Sequence, residues 1–102
     1  MVIHMVLFKV KRGVPRARVL RVMKRIGGLR RKIAGITSWR CGPDSSPEGL
    51  NRGYTWGFCT TFRNAKSRNV YLTHPEHLKV VAEILKILAG GVKGALAFDF
   101  EA

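Results

Sequence analysis

The opening stretch VIHMVLFKV, residues 2–10, constrains the fold of this chain more than any other, because nearly every position is apolar. β-Branched and large apolar residues dominate it, so it reads as a strand buried on both faces. Side chains alternate across a strand. Val2, His4, Val6 and Phe8 therefore share one face, and Ile3, Met5 and Leu7 share the other. The stretch lacks the basic lead, long apolar core and small-residue cleavage site of a signal peptide. RGVP ends the strand, and Pro15 suits the first turn of a helix. Val19, Val22, Met23 and Ile26 then recur at helical spacing. Arg18, Arg21 and Arg25 fall on another face, which is wholly positive and gains no internal ion pairs. Gly27-Gly28 should weaken or kink this helix near its end, and Gly35 closes the segment.

Ile36–Cys41 reads as a second strand. GPDSSPEGLNRG, residues 42–53, is a long loop full of turn formers, of a length often functional in small domains. Tyr54–Phe62 reads as a third strand with Tyr54, Trp56, Phe58, Thr60 and Phe62 on one face. Asn64 caps a short helix over Ala65–Leu72. A longer helix runs from Pro75 to about Ala89 and ends at Gly90-Gly91. Ala95–Phe100 is a fourth strand that turns Leu96, Phe98 and Phe100 to one side. The order β-α-β-β-α-β is the ferredoxin-like split unit, an α+β fold. With 102 residues, 46% of them hydrophobic, one domain over 1–102 with one core is expected. No apolar run is long enough to span a bilayer, and with no export signal a cytoplasmic location is the default. Cys41 and Cys59 have neither metal-ligand spacing nor the number for a disulfide framework. Each is expected to pack as a small apolar side chain.

Nineteen Lys and Arg against six Asp and Glu give a formal charge of +13. The excess is lopsided: residues 1–43 hold twelve basic residues and no acidic one, and the rest of the chain nets only +1. Such a half attracts nucleic acid, an anionic lipid surface or an acidic substrate, or is simply a solvated face. The aromatics and glycines of an RNA-binding sheet are missing nearby. If a polyanion binds, Arg18, Arg21, Arg25, Arg30 and Arg31 are the residues expected to hold it.

Two of the three histidines sit in YLTHPEHL, residues 71–78. A residue before proline avoids the helical region, so His74 should be extended, with Pro75 first in the helix. Glu76, Lys79, Glu83 and Lys86 mark the polar side of that helix, and His77, Val81, Ile84, Leu85 and Leu88 the opposite side. His77 thus points toward the sheet, where His4 lies among Val2, Val6 and Phe8, and the two imidazoles can line one cavity. A helix N-terminus and apolar burial both favour a neutral imidazole, which can accept a proton as a general base. The competing reading is a pair of core histidines bonded to backbone or water, with His74 a helix cap. No spacing matches a zinc ligand set, and no phosphate-binding glycine loop or activated nucleophile is recognisable, so no metal and no cofactor is expected.

Taken together, IHMVLFKVK, SPEGLNRGYT, VYLTHPEHLKVV and AFDFE resemble the stress-responsive A/B barrel domain, Dabb, in order and spacing over nearly the whole chain. The resemblance implies a homodimeric α+β barrel in which two ferredoxin-like protomers pack their sheets face to face, with the FDF strand supporting the dimer. Relatives include plant polyketide cyclases that close a linear poly-β-keto product by aldol condensation without a cofactor. By that likeness His77 acts as base, and His4 and Tyr71 hold the substrate or its oxygens. Tyr54, Trp56, His74, Val81 and Phe8 would line the pocket of a small hydrophobic carbonyl compound. Relatives often read GYTH where this chain reads GYTW, so Trp56 replaces a third pocket histidine. The resemblance leaves open a cofactor-free monooxygenase and a non-catalytic dimer whose basic half binds an anionic partner.

Overall fold

β1 (Val2–Phe8) takes an inner place in a four-stranded antiparallel sheet of order β2-β3-β1-β4. The computed structural model describes residues 1–102. Around β1 run α1 (Arg16–Gly28), β2 (Ile36–Pro43), β3 (Trp56–Phe62), α2 (Ala65–Thr73), α3 (Pro75–Ile87) and β4 (Ala95–Glu101). The register sets Val2 beside Phe62 and Glu101, His4 beside Thr60 and Asp99, and Phe8 beside Trp56 and Ala95. Partners across a ladder share a face. One face thus carries Val2, His4, Val6, Phe8, Trp56, Phe58, Thr60 and Phe62, all buried. The helices cover it, contributing Val19, Val22, Met23 and Ile26 from α1, Tyr71 from α2 and Val80, Ile84 and Ile87 from α3.

The second face corrects the expectation for β1. The protomer's own elements bury only one side of this strand. Ile3 and Met5 are half-buried and Leu7 is exposed. Beside them on β4 stand Leu96, Phe98 and Phe100, also exposed.

Several boundaries shift for identifiable reasons. β1 ends at Phe8 because the backbone of the next residues is taken by the end of α3: Lys11 N–H donates to Ile87 C=O (2.8 Å) and Ala89 N–H donates to Lys9 C=O (2.8 Å). The same pairing draws Leu88 into extended backbone (φ −87, ψ 135), so α3 stops at Ile87 rather than Ala89. Gly42 and Pro43 join β2, opposite Gly57 and Trp56. Tyr54 lies outside β3, its N–H closing a turn onto Asn51 C=O (2.9 Å). The buried stripe of α3 is Val80, Ile84 and Ile87; Val81 is half-buried and Leu85 is exposed. Cys41 is exposed on the edge strand and Cys59 is half-buried.

Asn64 caps α2 as expected, its side chain accepting from Ser67 N–H (2.9 Å). α1 runs unbroken through Gly27 and Gly28. A Cβ on Gly27 would stand 2.5 Å from the Trp39 Nε1, whereas a Cβ on Gly28 would meet nothing within 4 Å. Gly27 lets the indole of β2 lie against the helix. Gly28 has ordinary helical backbone (φ −66, ψ −17) and only weakens it. Gly28→Ala should therefore raise stability by about 0.5–1 kcal/mol. Gly27→Ala should lower it by about 1–3 kcal/mol through overpacking. Thermal unfolding of the two variants checks the opposite signs.

Candidate functional site

α2 and α3 meet at His74, which is extended (φ −67, ψ 134) because Pro75 follows it. Its Nδ1 accepts from Glu76 N–H at 3.1 Å, so its imidazole caps α3. The sharp turn stacks Tyr71, near the end of α2, on His77, in the first turn of α3, with ring centroids 4.2 Å apart. Tyr71 is 2% exposed and wedged between α2 and the sheet, its ring 4.9 Å from Phe62 and 6.1 Å from His4. His4, Tyr71 and His77 thus come from β1, α2 and α3 to one place.

Two residues outside the sequence-based candidates, Asp99 and Arg68, complete the group. His4 is 5% exposed, and its Nδ1 lies 2.6 Å from Asp99 Oδ1. The other Asp99 oxygen accepts from Arg68 Nη1 at 2.8 Å. A chain Arg68–Asp99–His4 therefore abuts Tyr71 and, through it, His77. Burial pushes the Asp99 carboxyl up, but the hydrogen bonds and positive charge of His4 and Arg68 outweigh it and hold the group below its ordinary value. A sequence signal for Asp99 existed: it lies between Phe98 and Phe100 in β4, so alternation turns it to the opposite face from theirs.

The hydrogen bonds also fix the tautomers. His77 Nδ1 is 3.1 Å from Leu72 C=O, a carbonyl in the last turn of α2. A carbonyl only accepts, so Nδ1 carries the proton and the lone pair of the neutral ring is on Nε2. Burial lowers the His77 pKa from its ordinary value, the Leu72 bond opposes this, and nearby charge on His4 and His74 lowers it further. Burial pushes the Tyr71 phenol up to about 12, which keeps it a proton donor. Its hydroxyl bonds no group of the protomer, yet no buried polar side-chain atom lacks a partner, so solvent reaches it.

Most of the remaining expected pocket residues stand away from this group. Phe8 and Trp56 are four positions along their strands from His4 and Thr60, about 13 Å at 3.3 Å per residue. Phe8 is 1% exposed and packs on Phe58. Trp56 lies beneath the Arg16 guanidinium (5.3 Å) and Tyr54 beneath the Lys9 ammonium (4.8 Å). Val81 lies one helical turn beyond His77. Arg18, Arg21, Arg25 and Arg31 line one groove together with Lys24. Arg30 turns away from it and donates from Nε to Gly27 C=O at 3.2 Å. No three His, Cys, Asp or Glu side chains are close enough to hold a metal ion, and no helix is long and apolar enough to cross a membrane.

The model of the stress responsive A/B barrel domain family, Dabb, matches residues 2–102. The chain belongs to this family. It is 29% identical to the stress-response A/B barrel domain-containing protein HS1 of Arabidopsis thaliana over 98 residues, 96% of this chain and 86% of that protein. Among solved structures, a dimeric ferredoxin-like protein of unknown function from Jannaschia sp. CCS1 is similar, with a TM-score of 0.89 and 26% identity over 99% of this chain and 98% of that one. The hydroxynitrile lyase of Passiflora edulis is similar in fold alone, with a TM-score of 0.85 and 18% identity over 97% of this chain and 90% of that one.

The depressed Asp99 carboxyl gives a pH dependence with a definite sign. A group whose native pKa lies below its unfolded value of about 3.9 stabilises the fold above that value and stops doing so as pH falls through the native one. Asp99→Asn should cost about 1.5–3 kcal/mol near neutral pH, the worth of hydrogen bonds to a charged group. The gap to wild type should shrink below about pH 4. Urea unfolding across this range measures both.

Proposed function

We propose that this protein is a cofactor-free enzyme that removes a proton beside the carbonyl of a small hydrophobic compound, with His77 as the base. The observation that carries this reading is the 3.1 Å bond of His77 Nδ1 to Leu72 C=O, which leaves the Nε2 lone pair for a substrate, on a ring stacked on the Tyr71 phenol; burial favours the neutral imidazole and the protonated phenol. In the step, His77 Nε2 takes the α-proton, the C–H electron pair moves into the enolate, and Tyr71 donates a hydrogen bond to the enolate oxygen. His4 stands against the Tyr71 ring and is fixed by Asp99, whose charge steadies any positive charge that His4 acquires. In a poly-keto chain the enolate carbon then attacks a second carbonyl of the same molecule. A C–C bond forms, and the new alkoxide takes the proton back from His77. Nothing in this sequence calls for a redox partner. A hydroxynitrile lyase on the same fold is consistent with catalysis on this scaffold.

The functional unit we propose is a homodimer. Leu7, Leu96, Phe98 and Phe100 expose 40%, 41%, 58% and 44% of their surface on the open side of the sheet, a contiguous apolar face that water disfavours. A second copy laid face to face covers it, and the Jannaschia relative is dimeric. The face is opposite the one bearing His4, so dimer formation and the His77 chemistry are separable.

Exchange of α-protons of aryl ketones and poly-keto acids into deuterated water, followed by NMR, tests the chemistry. His77→Ala should slow the protein-dependent exchange by about 10²–10⁴, the usual worth of a general base. Light scattering should still show two copies. A wild-type protein without activity on this panel, or exchange indifferent to His77→Ala, contradicts the reading and leaves a non-catalytic dimer.

A further inference from the structure

The hollow with the clearest chemistry lies away from the histidines. A groove of about 510 Å³ is bounded by α1 and α3 and lined by Arg18, Arg21, Lys24, Arg25 and Arg31. Glu83 is its one carboxylate and is already engaged, 3.8 Å from Arg25 and 3.6 Å from Lys86. Arg18, Arg21, Lys24 and Arg31 pair with no carboxylate at all.

Folding alone gives no reason for this arrangement. Cations near the C-terminus of a helix are favoured by its dipole, which accounts for Arg25. Arg18 and Arg21 are in the first half of α1, where the dipole disfavours them, and the first turn holds no acid. Like charges gathered along a concave wall repel one another and focus a positive potential into the groove. An anion relieves that repulsion.

The kind of anion follows from the lining. Four of the five cations are arginines, whose forked donors match phosphate oxygens two at a time. Arg18, Arg21 and Arg25 are spaced three and four apart, so they follow one line about 10 Å long at 1.5 Å per residue. Such a row fits consecutive phosphates better than one. No aromatic ring lines the groove, so nothing there stacks on a base. Beyond Arg31 the adjoining hollow ends the positive run, because Lys32 is tied to Glu76 at 3.4 Å. The groove is in the helical layer, opposite the apolar sheet face, and stays outward when a second copy covers that face.

We infer that this groove is a binding site for a short linear oligophosphate, held by its phosphates with no contact to a base. It is independent of the His77 chemistry. Calorimetric titration with sodium tripolyphosphate tests it in three proteins: wild type, Arg21→Ser/Arg31→Ser, and Lys11→Ser/Arg12→Ser. The last removes the same charge from exposed residues outside the groove. The groove variant should lose about tenfold or more in affinity, as expected when charge-assisted hydrogen bonds are removed. The control should stay within about twofold, since distant exposed charges are screened. Circular dichroism verifies that both variants are folded. Equal loss in the two variants, or no binding to wild type, overturns the site and leaves only a diffuse field. ATP distinguishes the source of the phosphates: an affinity equal to that of tripolyphosphate supports a bare chain, and one far tighter overturns it in favour of a nucleotide. Groove-dependent binding of a single-stranded RNA without binding of tripolyphosphate would make the partner nucleic acid and also overturns the proposal.

Discussion

The two-residue alternation along β1 is the constraint on which the rest of the molecule depends. It puts His4 under the helices with Val2, Val6 and Phe8, and it turns Ile3, Met5 and Leu7 the other way. A slip of one residue would exchange the two sets. His4 would then enter the apolar open face, and Asp99 would stand opposite Ile3 or Met5. The register of β1 with β4 is what makes a buried imidazole affordable, because it delivers a carboxylate to the same level.

That carboxylate needs its own partner. A buried charge without one is costly, and a pair remains stable only if its other lone pairs are bonded. Arg68 from α2 supplies the second bond. The same helix brings Tyr71 onto His4, so polar satisfaction and the packing of the aromatic group come from one element. His77 joins by a different route. The extended residue before Pro75 turns the chain sharply between α2 and α3, and the ring of His77 returns to bond a terminal carbonyl of α2. The positive groove shares none of these contacts and is built on α1 and the turn after it.

Much of this was legible in the chain. Period-two and helical patterns gave the element order, the helix-facing residues of β1 and β3, the core stripe of α1 and the Asn64 cap. The pre-proline rule gave the backbone of His74. The same periodicities gave the sides of β1 and α3 on which His4 and His77 stand, but not the Tyr71 ring that packs against both. What stayed hidden depended on contacts between distant segments. Arg68 and Asp99 are 31 residues apart and meet only once α2 is laid on the sheet. Trp56 belongs to the face of His4 but to the far end of the sheet, a distance along the strand that face assignment ignores. On α3, helical spacing alone does not separate Val80 and Ile87 from Val81 and Leu85, because which pair is buried depends on the elements that pack against the helix. Both cover on the open face and occupancy of the groove lie outside a single copy of the chain.

The central claim is that His77 is a neutral base in electrostatic contact with His4. An NMR pH titration of the three histidine rings, in wild type and in His4→Ala, tests it most directly. The expected result is a His77 midpoint below the ordinary value of about 6.5 that rises toward it when His4 is removed, since charge on His4 disfavours charge on His77. A His77 midpoint at or above that ordinary value, unchanged by His4→Ala, would contradict the claim.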